Sequence, residues 1–448
     1  MNTKTPVITH PLQKKVLISL PGLVLFLFLI SSLSTAQEIP MEEKARLKGE
    51  LKAELKGELK KEILEEIQAQ YVLVPKNEMR TQAYTPVPPG SNQPAGTAIE
   101  EPPPEKLFSY ELGKGLKVGG ERLTLRGFSD VTFEGKDIHE RRGAHKGENF
   151  FAIGQYDLFI TSRLNDRISF LGETVFEAEE GEGMVVDVER LLVEYSFGDF
   201  LKVSLGRYHT PLGYWNTAYQ HGRWLHTPIF RPELFRWEDD GGILPLHGVG
   251  VMAEGNIELG KWGLGYALGF SNGRGRTRTE IQNTRDLNND KAVNLRLSVS
   301  NERITGLTAG WSFYRDEIPK SSEAPVHREM DELIYGPYIT YLMGNYEVLA
   351  EALNIHHDED GSGGDYNTLG SYVQLARRWG KFKPYYRLDR INFARTDPFY
   401  GPNPISILKN TFGLRYDISN FNALKFEYSF SDTSEGNTNA IAFQSAFS

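Results

Sequence analysis

A chain of 448 residues with 24% charged and 12% aromatic side chains, 44 glycines and no cysteine excludes a helical membrane protein, a disulfide scaffold and a thiolate metal or redox centre. A formal charge of -9 argues against nucleic acid as a partner, because the phosphate backbone is gripped by clustered lysine and arginine. The mean hydropathy of -0.41 leaves a membrane location open, since barrel strands show lipid only alternate residues.

Lys14 and Lys15 precede the apolar run 16–33, and Ser34 and Ala36 precede a cut before Gln37. This is the pattern of a secretory signal peptide over residues 1–36, and Pro21 and Gly22 interrupt the run too early for a spanning helix. With the leader go Lys4, Lys14 and Lys15, which takes the net charge from -9 to -12. From 37 to 75 the spacing predicts a helix. Leu47, Leu51, Leu55, Leu59, Ile63 and Ile67 recur every four residues, flanked by parallel lysine and glutamate stripes. A four-residue spacing drifts around the helix, so a three-helix coiled coil beneath a homotrimer and a single solvated helix both remain open. Residues 76–108 hold Pro86, Pro88, Pro89, Pro94 and Pro102 to Pro104, the composition of an extended, semi-rigid linker.

From 109 to 448 the sequence alternates with period two. Leu123, Leu125, Val131 and Phe133 oppose Thr124, Arg126, Asp130, Thr132 and Glu134, and the pattern returns at 262–271 and 424–431. Short turns near 165, 198, 260, 302, 344, 380 and 419 intervene between loops near 135–149, 179–183, 208–245, 272–290, 316–330, 356–366, 394–404 and 432–437. Seven turns and eight loops imply an all-β transmembrane antiparallel barrel of about sixteen strands, with both ends on the turn side. Phe150, Tyr195, Trp262, Tyr341 and Tyr346 fall at strand ends, where interfacial aromatic girdles sit.

The stretch 208–245 is far longer than a strand connection requires. It mixes Trp215, Trp224 and Trp237 with arginines, acids and four prolines, which suits a loop packed inside the barrel. Its entry, GRYHTPLG with Gly206, Arg207, Pro211 and Gly213, resembles the turn into the third loop of the phosphate-selective porin O and P superfamily. The last strand, 440–448, resembles the terminal strand of outer-membrane barrels, with Phe447 supplying the aromatic that the family places last. The resemblance implies a porin with a coiled-coil extension, but the loop lacks a lysine ladder, so phosphate is not implied as the solute.

Arg223, Arg231 and Arg236 are expected to face Glu238, Asp239 and Asp240 across a constriction. Arg126, Arg163, Lys202, Arg207, Arg387 and Arg415 are the expected pore-wall residues. No metal site or cofactor is expected. His209, His221, His226 and His247 match no compact ligand spacing. The loop HHDEDGSGGD offers Asp358, Asp360, Ser362 and Asp365 as a weak calcium candidate, without the distal glutamate of the full motif. No nucleophile elbow or metalloprotease motif is present, and Asp157, Glu173 and Glu177 read as wall carboxylates. The expected function is passive diffusion of small hydrophilic solutes or ions through a trimeric porin in the outer membrane of a Gram-negative-type bacterium, with the N-terminal region in the periplasm. Two alternatives remain: a tether in which the barrel anchors a periplasmic helix against the cell wall, and an outer-membrane hydrolase.

Overall fold

The computed structural model describes residues 108–448, apart from 112–114, 119–121, 142–144, 180–182, 220–221, 239, 279, 281–285, 362–363 and 402–403. The expected signal peptide, helix and most of the linker lie outside these residues. A short hairpin, β1 (Phe108–Glu111) and β2 (Gly115–Val118), leads into the barrel. Its strands are β3 (Leu123–Glu140), β4 (His145–Arg163), β5 (Ile168–Glu179), β6 (Gly183–Gly198), β7 (Leu201–His209), β8 (His247–Leu259), β9 (Trp262–Ser271) and β10 (Ala292–Asn301). They continue as β11 (Leu307–Ile318), β12 (Met330–Met343), β13 (Tyr346–Glu359), β14 (Gly364–Arg377), β15 (Phe382–Asn392), β16 (Ile407–Asp417), β17 (Asn422–Thr433) and β18 (Gly436–Phe447).

Each barrel strand pairs antiparallel with the next, and β18 returns to β3 from Phe447↔Ser129 to Gly436↔Glu140. The result is a closed antiparallel barrel of sixteen strands, β3 to β18, which leaves no open edge among them. The alternation reads through directly. Leu205, Phe270, Trp311, Phe412 and Phe443 are exposed on the outside, while their chain neighbours Ser204, Ser271, Ser312, Thr411 and Gln444 are buried on the inside. An apolar belt of this kind is unstable in water and matches the hydrocarbon of a bilayer.

Two expectations need correcting. The stretch 135–149 is not a long loop: β3 and β4 continue as a paired ladder to His139↔His145, so the hairpin projects past β5, whose pairing with β4 ends at Tyr156↔Phe176, while β18 follows β3 to Glu140. Phe150 is not a girdle residue. The register of β3 and β4 shifts between Ser129 and Val131; the extra residue on β4 reverses which positions face inward, and Phe150 lines the interior.

Candidate functional site

The connection between β7 and β8, residues 210–246, lies within the barrel and is bonded to its inner wall. It turns at Gly213, whose φ of +67° only glycine adopts without strain, and where a Cβ would collide with the Glu351 carboxylate and the Phe235 ring. Glu351 then accepts the backbone N–H of Tyr214 at 2.6 Å and of Trp215 at 2.9 Å, together with the Tyr372 hydroxyl at 2.6 Å. These are the orphan donors at the start of a single-turn helix, α1 (Trp215–Ala218). The two ends of the loop are tied by Asn216, which donates to the carbonyls of Thr210 at 2.9 Å and Leu246 at 3.0 Å.

One side of the loop is apolar. Leu212, Trp215, Leu234, Phe235, Ile243 and Leu244 are fully buried against Ile334, Leu349, Leu353 and Tyr372 from β12, β13 and β14. Each such side chain is worth about 1.5–3 kcal/mol of burial, so this half of the lumen is filled as a solid core. The neighbouring loops join it. Phe399 and Tyr400 pack into the same cluster, Arg274 reaches Glu332 at 2.6 Å, and His357 bridges Glu332 at 3.0 Å and Asp397 at 2.7 Å.

The other side is polar, and its peptide groups have no sheet partner. Charged wall residues satisfy them. Arg387 donates to the carbonyls of Phe230 at 2.9 Å and Arg231 at 3.1 Å while its Nε holds Asp389 at 2.8 Å. Asp389 accepts the N–H of Glu233 at 3.0 Å, and Lys409 pairs with the Glu233 carboxylate at 2.9 Å. Arg415 donates to the carbonyls of Trp224 and His226, both at 2.7 Å, and Lys425 to those of Arg223 at 2.5 Å and Pro228 at 3.0 Å. Glu427 accepts from Ile229 N at 3.0 Å, and Lys383 spans Thr227 at 2.8 Å and Glu347 at 2.6 Å. For Glu233, burial favours the neutral carboxyl, but the Lys409 charge beside it outweighs that and holds it below the ordinary glutamate range.

Between this polar side and the inner faces of β3, β4 and β16 to β18 lies a cavity of about 410 Å³. Six of its wall residues are small, Thr132, Ala152, Ser429, Ser431, Thr438 and Ala440, with Phe150 beside them. Its charged lining consists of Lys136, Arg223, Arg231, Arg236 and Lys409 against Glu134, Glu233 and Asp240. Among the described residues five cations face three carboxylates, an excess of two positive charges inside a chain of net charge -9. At its inner end Arg223 lies 3.7 Å from Asp130 and Trp224 stacks on Phe128 with ring centroids 6.3 Å apart.

The residues expected at a constriction separate into groups. Arg223, Arg231, Arg236 and Asp240 all line the cavity. Arg231 is fixed by a bond from its Nε to Phe235 O at 2.6 Å, with its guanidinium 3.5 Å from the Trp237 ring centroid. Glu238 turns away, into the loop, where it accepts Leu246 N at 2.7 Å and meets His247 Nδ1 at 3.0 Å. Asp239 lies outside the described residues.

Among the expected wall residues, Arg387 and Arg415 are buried clamps on the loop backbone. Arg207 is buried against Glu189 O at 3.1 Å, and Arg126 lies 5.0 Å from the Phe128 ring centroid. Lys202 sits opposite Glu254 in the ladder, and Arg163 is exposed at the turn end. Of the wall carboxylates, Glu173 is ion-paired with Arg190 and Glu177 accepts from Gln155 at 2.9 Å.

Sequence reasoning missed Glu351, Asp389, Lys409, Lys425 and Glu427. The signal existed, since Lys425 and Glu427 stand on the polar face of an evident alternating strand, but nothing in the spacing said that their partner would be a distant loop backbone. In the acidic loop, Asp358 and Asp365 oppose each other across the β13–β14 ladder, and Asp365 is engaged by Asn367 at 3.0 Å and His356 at 3.3 Å. Ser362 lies outside the described residues, and the described ones here do not bring three imidazole or carboxylate donors together.

No family model matches the chain, and no curated protein sequence does. Solved structures do. An anion-selective porin from Comamonas acidovorans aligns at TM-score 0.51 and 14% identity, covering 72% of this chain and 99% of that one. OmpF of Salmonella typhi, solved with daunomycin, aligns at 0.50 and 10%, covering 74% and 100%. The outer-membrane channel DcaP of Acinetobacter baumannii aligns at 0.48 and 10%, covering 75% and 99%.

The fold is that of the outer-membrane porins. The first two neighbours are matched over 99% and 100% of their own length, at identities that speak for architecture and leave the solute to be argued from the chain's own residues.

Proposed function

We propose that the protein is a passive outer-membrane channel for small hydrophilic solutes, narrowed by the loop 210–246 and favouring anions. The observation that carries the reading is the asymmetry of the lumen: one half is filled by the loop's apolar face, and the other keeps a cavity of about 410 Å³ bordered by small residues. A wide barrel conducts unless its interior is filled, and charged rings at the narrowest point set which ions pass. The excess of positive charge among Lys136, Arg223, Arg231, Arg236 and Lys409 lowers the barrier to anions.

The narrowest point is read as the contact of Arg223 with Asp130, where both signs of charge meet across 3.7 Å. No energy source is needed. A homotrimer and a periplasmic N-terminal helix complete the reading. Single-channel recording of the purified protein in a planar bilayer tests it. Discrete openings are expected, and liposomes carrying the protein should swell in small sugars and not in large ones. A folded barrel that neither opens nor admits solute would overturn the proposal.

A further inference from the structure

The projecting β3–β4 hairpin gathers Asp137, His139 and His145 on one face, away from the lumen. Asp137 and His139 are two apart on β3, so their side chains share a face, and His145 stands directly across the ladder from His139. The imidazole rings stack with centroids 4.5 Å apart. His139 Nε2 lies 3.1 Å from one Asp137 oxygen and His145 Nε2 bonds the other, so all three donor atoms fall within 4.8 Å of one another.

A tetrahedral ion with bonds of about 2.0–2.1 Å needs its ligand atoms about 3.3 Å apart. The hairpin supplies two imidazole nitrogens and one carboxylate oxygen close to that spread, from two strands whose pairing fixes their separation. The absence of a metal site expected from sequence rested on chain spacing around other histidines. Here the ligands are split across a strand reversal, which spacing along the chain does not reveal.

We propose that Asp137, His139 and His145 form a binding site for a late first-row divalent ion, zinc in the first instance, on the outer face of this hairpin. Two imidazoles and a single carboxylate suit zinc, copper or nickel, whereas calcium and magnesium require more oxygen donors than are present. On binding, the ion replaces the two hydrogen bonds that Asp137 now shares with the imidazoles: each Nε2 gives its lone pair to the ion, a neutral ring carrying its one proton on Nδ1 and a protonated ring releasing its Nε2 proton to solvent. Three protein ligands leave a fourth position for water. The site crosslinks the two strands near their tips and stands about 20 Å along β3 from outward-facing Phe133.

The test uses the full-length protein, purified in detergent with a tag that contains no histidine, and titrated with zinc chloride by calorimetry and with cobalt chloride by visible absorption. One equivalent should bind, with the ligand-field bands of four-coordinate cobalt. His139→Ala and His145→Ala should each weaken binding about tenfold or more, and Asp137→Asn should weaken it as well. His356→Ala, which removes the imidazole paired with Asp365 at 3.3 Å, should leave it unchanged. Each variant's folding is checked by its heat-dependent gel mobility, and His145→Gln replaces any that fails. Absence of binding to the folded protein, or binding unaltered in the His139 and His145 variants, would overturn the proposal and leave the trio as a hydrogen-bonded cluster.

Discussion

Arg387 donates to the carbonyl oxygen of Phe230 at 2.9 Å, although the two residues stand 157 positions apart. The same guanidinium holds Arg231 O and Asp389, so one buried cation joins the barrel wall to the middle of the long loop. Replacement by methionine keeps the volume and leaves Asp389 buried without its counter-charge. The expected loss is about 3–5 kcal/mol, seen as a lower temperature for the loss of the compact folded band. Stability equal to the parent's would show that this clamp does not hold the loop.

Glu351 and Gly213 form the second anchor. Glu351→Ala leaves two backbone donors and the Tyr372 hydroxyl without their acceptor, at about 1–3 kcal/mol, and Glu351→Gln should recover part of that. Gly213→Ala places a side chain at φ +67° against the Phe235 ring, a strain of about 1–3 kcal/mol. Both variants should conduct with more current noise than the parent, because both free the start of the loop. Quiet parental traces from folded Gly213→Ala would remove this anchor from the account.

The loop's attachment also has a pH signature. The Glu233 carboxyl is held below the ordinary value of 4.5: burial opposes ionisation, and the Lys409 ion pair overcomes it. A depressed carboxyl contributes stability that is present above the unfolded value and lost as pH falls through the folded one. The contribution of Glu233 to a quiet channel should therefore stay constant from neutral pH to about 4.5 and be lost only below it. Lys409→Met should move the onset upward. Recordings at stepped pH check this, and an onset that ignores Lys409 would contradict it.

The side of the lumen that remains open is tested by filling it. Ala440→Trp adds a large ring to the small-residue wall and should lower single-channel conductance severalfold, while Leu353→Phe, in the already filled half, should change conductance little. Equal effects would mean that solutes do not pass beside β18.

Much of the barrel is legible in the sequence because its outer face needs lipid-compatible residues at alternate positions. Trp262 to Phe270 and Leu424 to Phe430 show this without any structure, and the seven short turns fall where the alternation stops. The long loop is legible through its length and its tryptophans. What its charges do is not. Arg387, Arg415 and Lys425 look like pore-wall cations on strand parity alone, yet their partners are backbone carbonyls on a loop 157 to 202 residues away, a relation no local pattern carries. The projecting hairpin was hidden for a different reason. Past the bilayer both faces of a strand are polar, so His139 and His145 pair in a ladder without the alternation that betrays strands within the lipid.

The account turns most on the sign of the charge inside the lumen. The reversal potential of the purified protein in a planar bilayer, taken across a tenfold potassium chloride gradient, measures it directly. Anion preference is expected, weakening or inverting in Arg236→Glu and unchanged in Arg315→Glu, whose side chain faces outward and pairs with Asp331 at 2.9 Å. Cation preference in the parent, or a preference that Arg236→Glu leaves unaltered, would contradict the claim that solutes cross the arginine-lined cavity beside the loop.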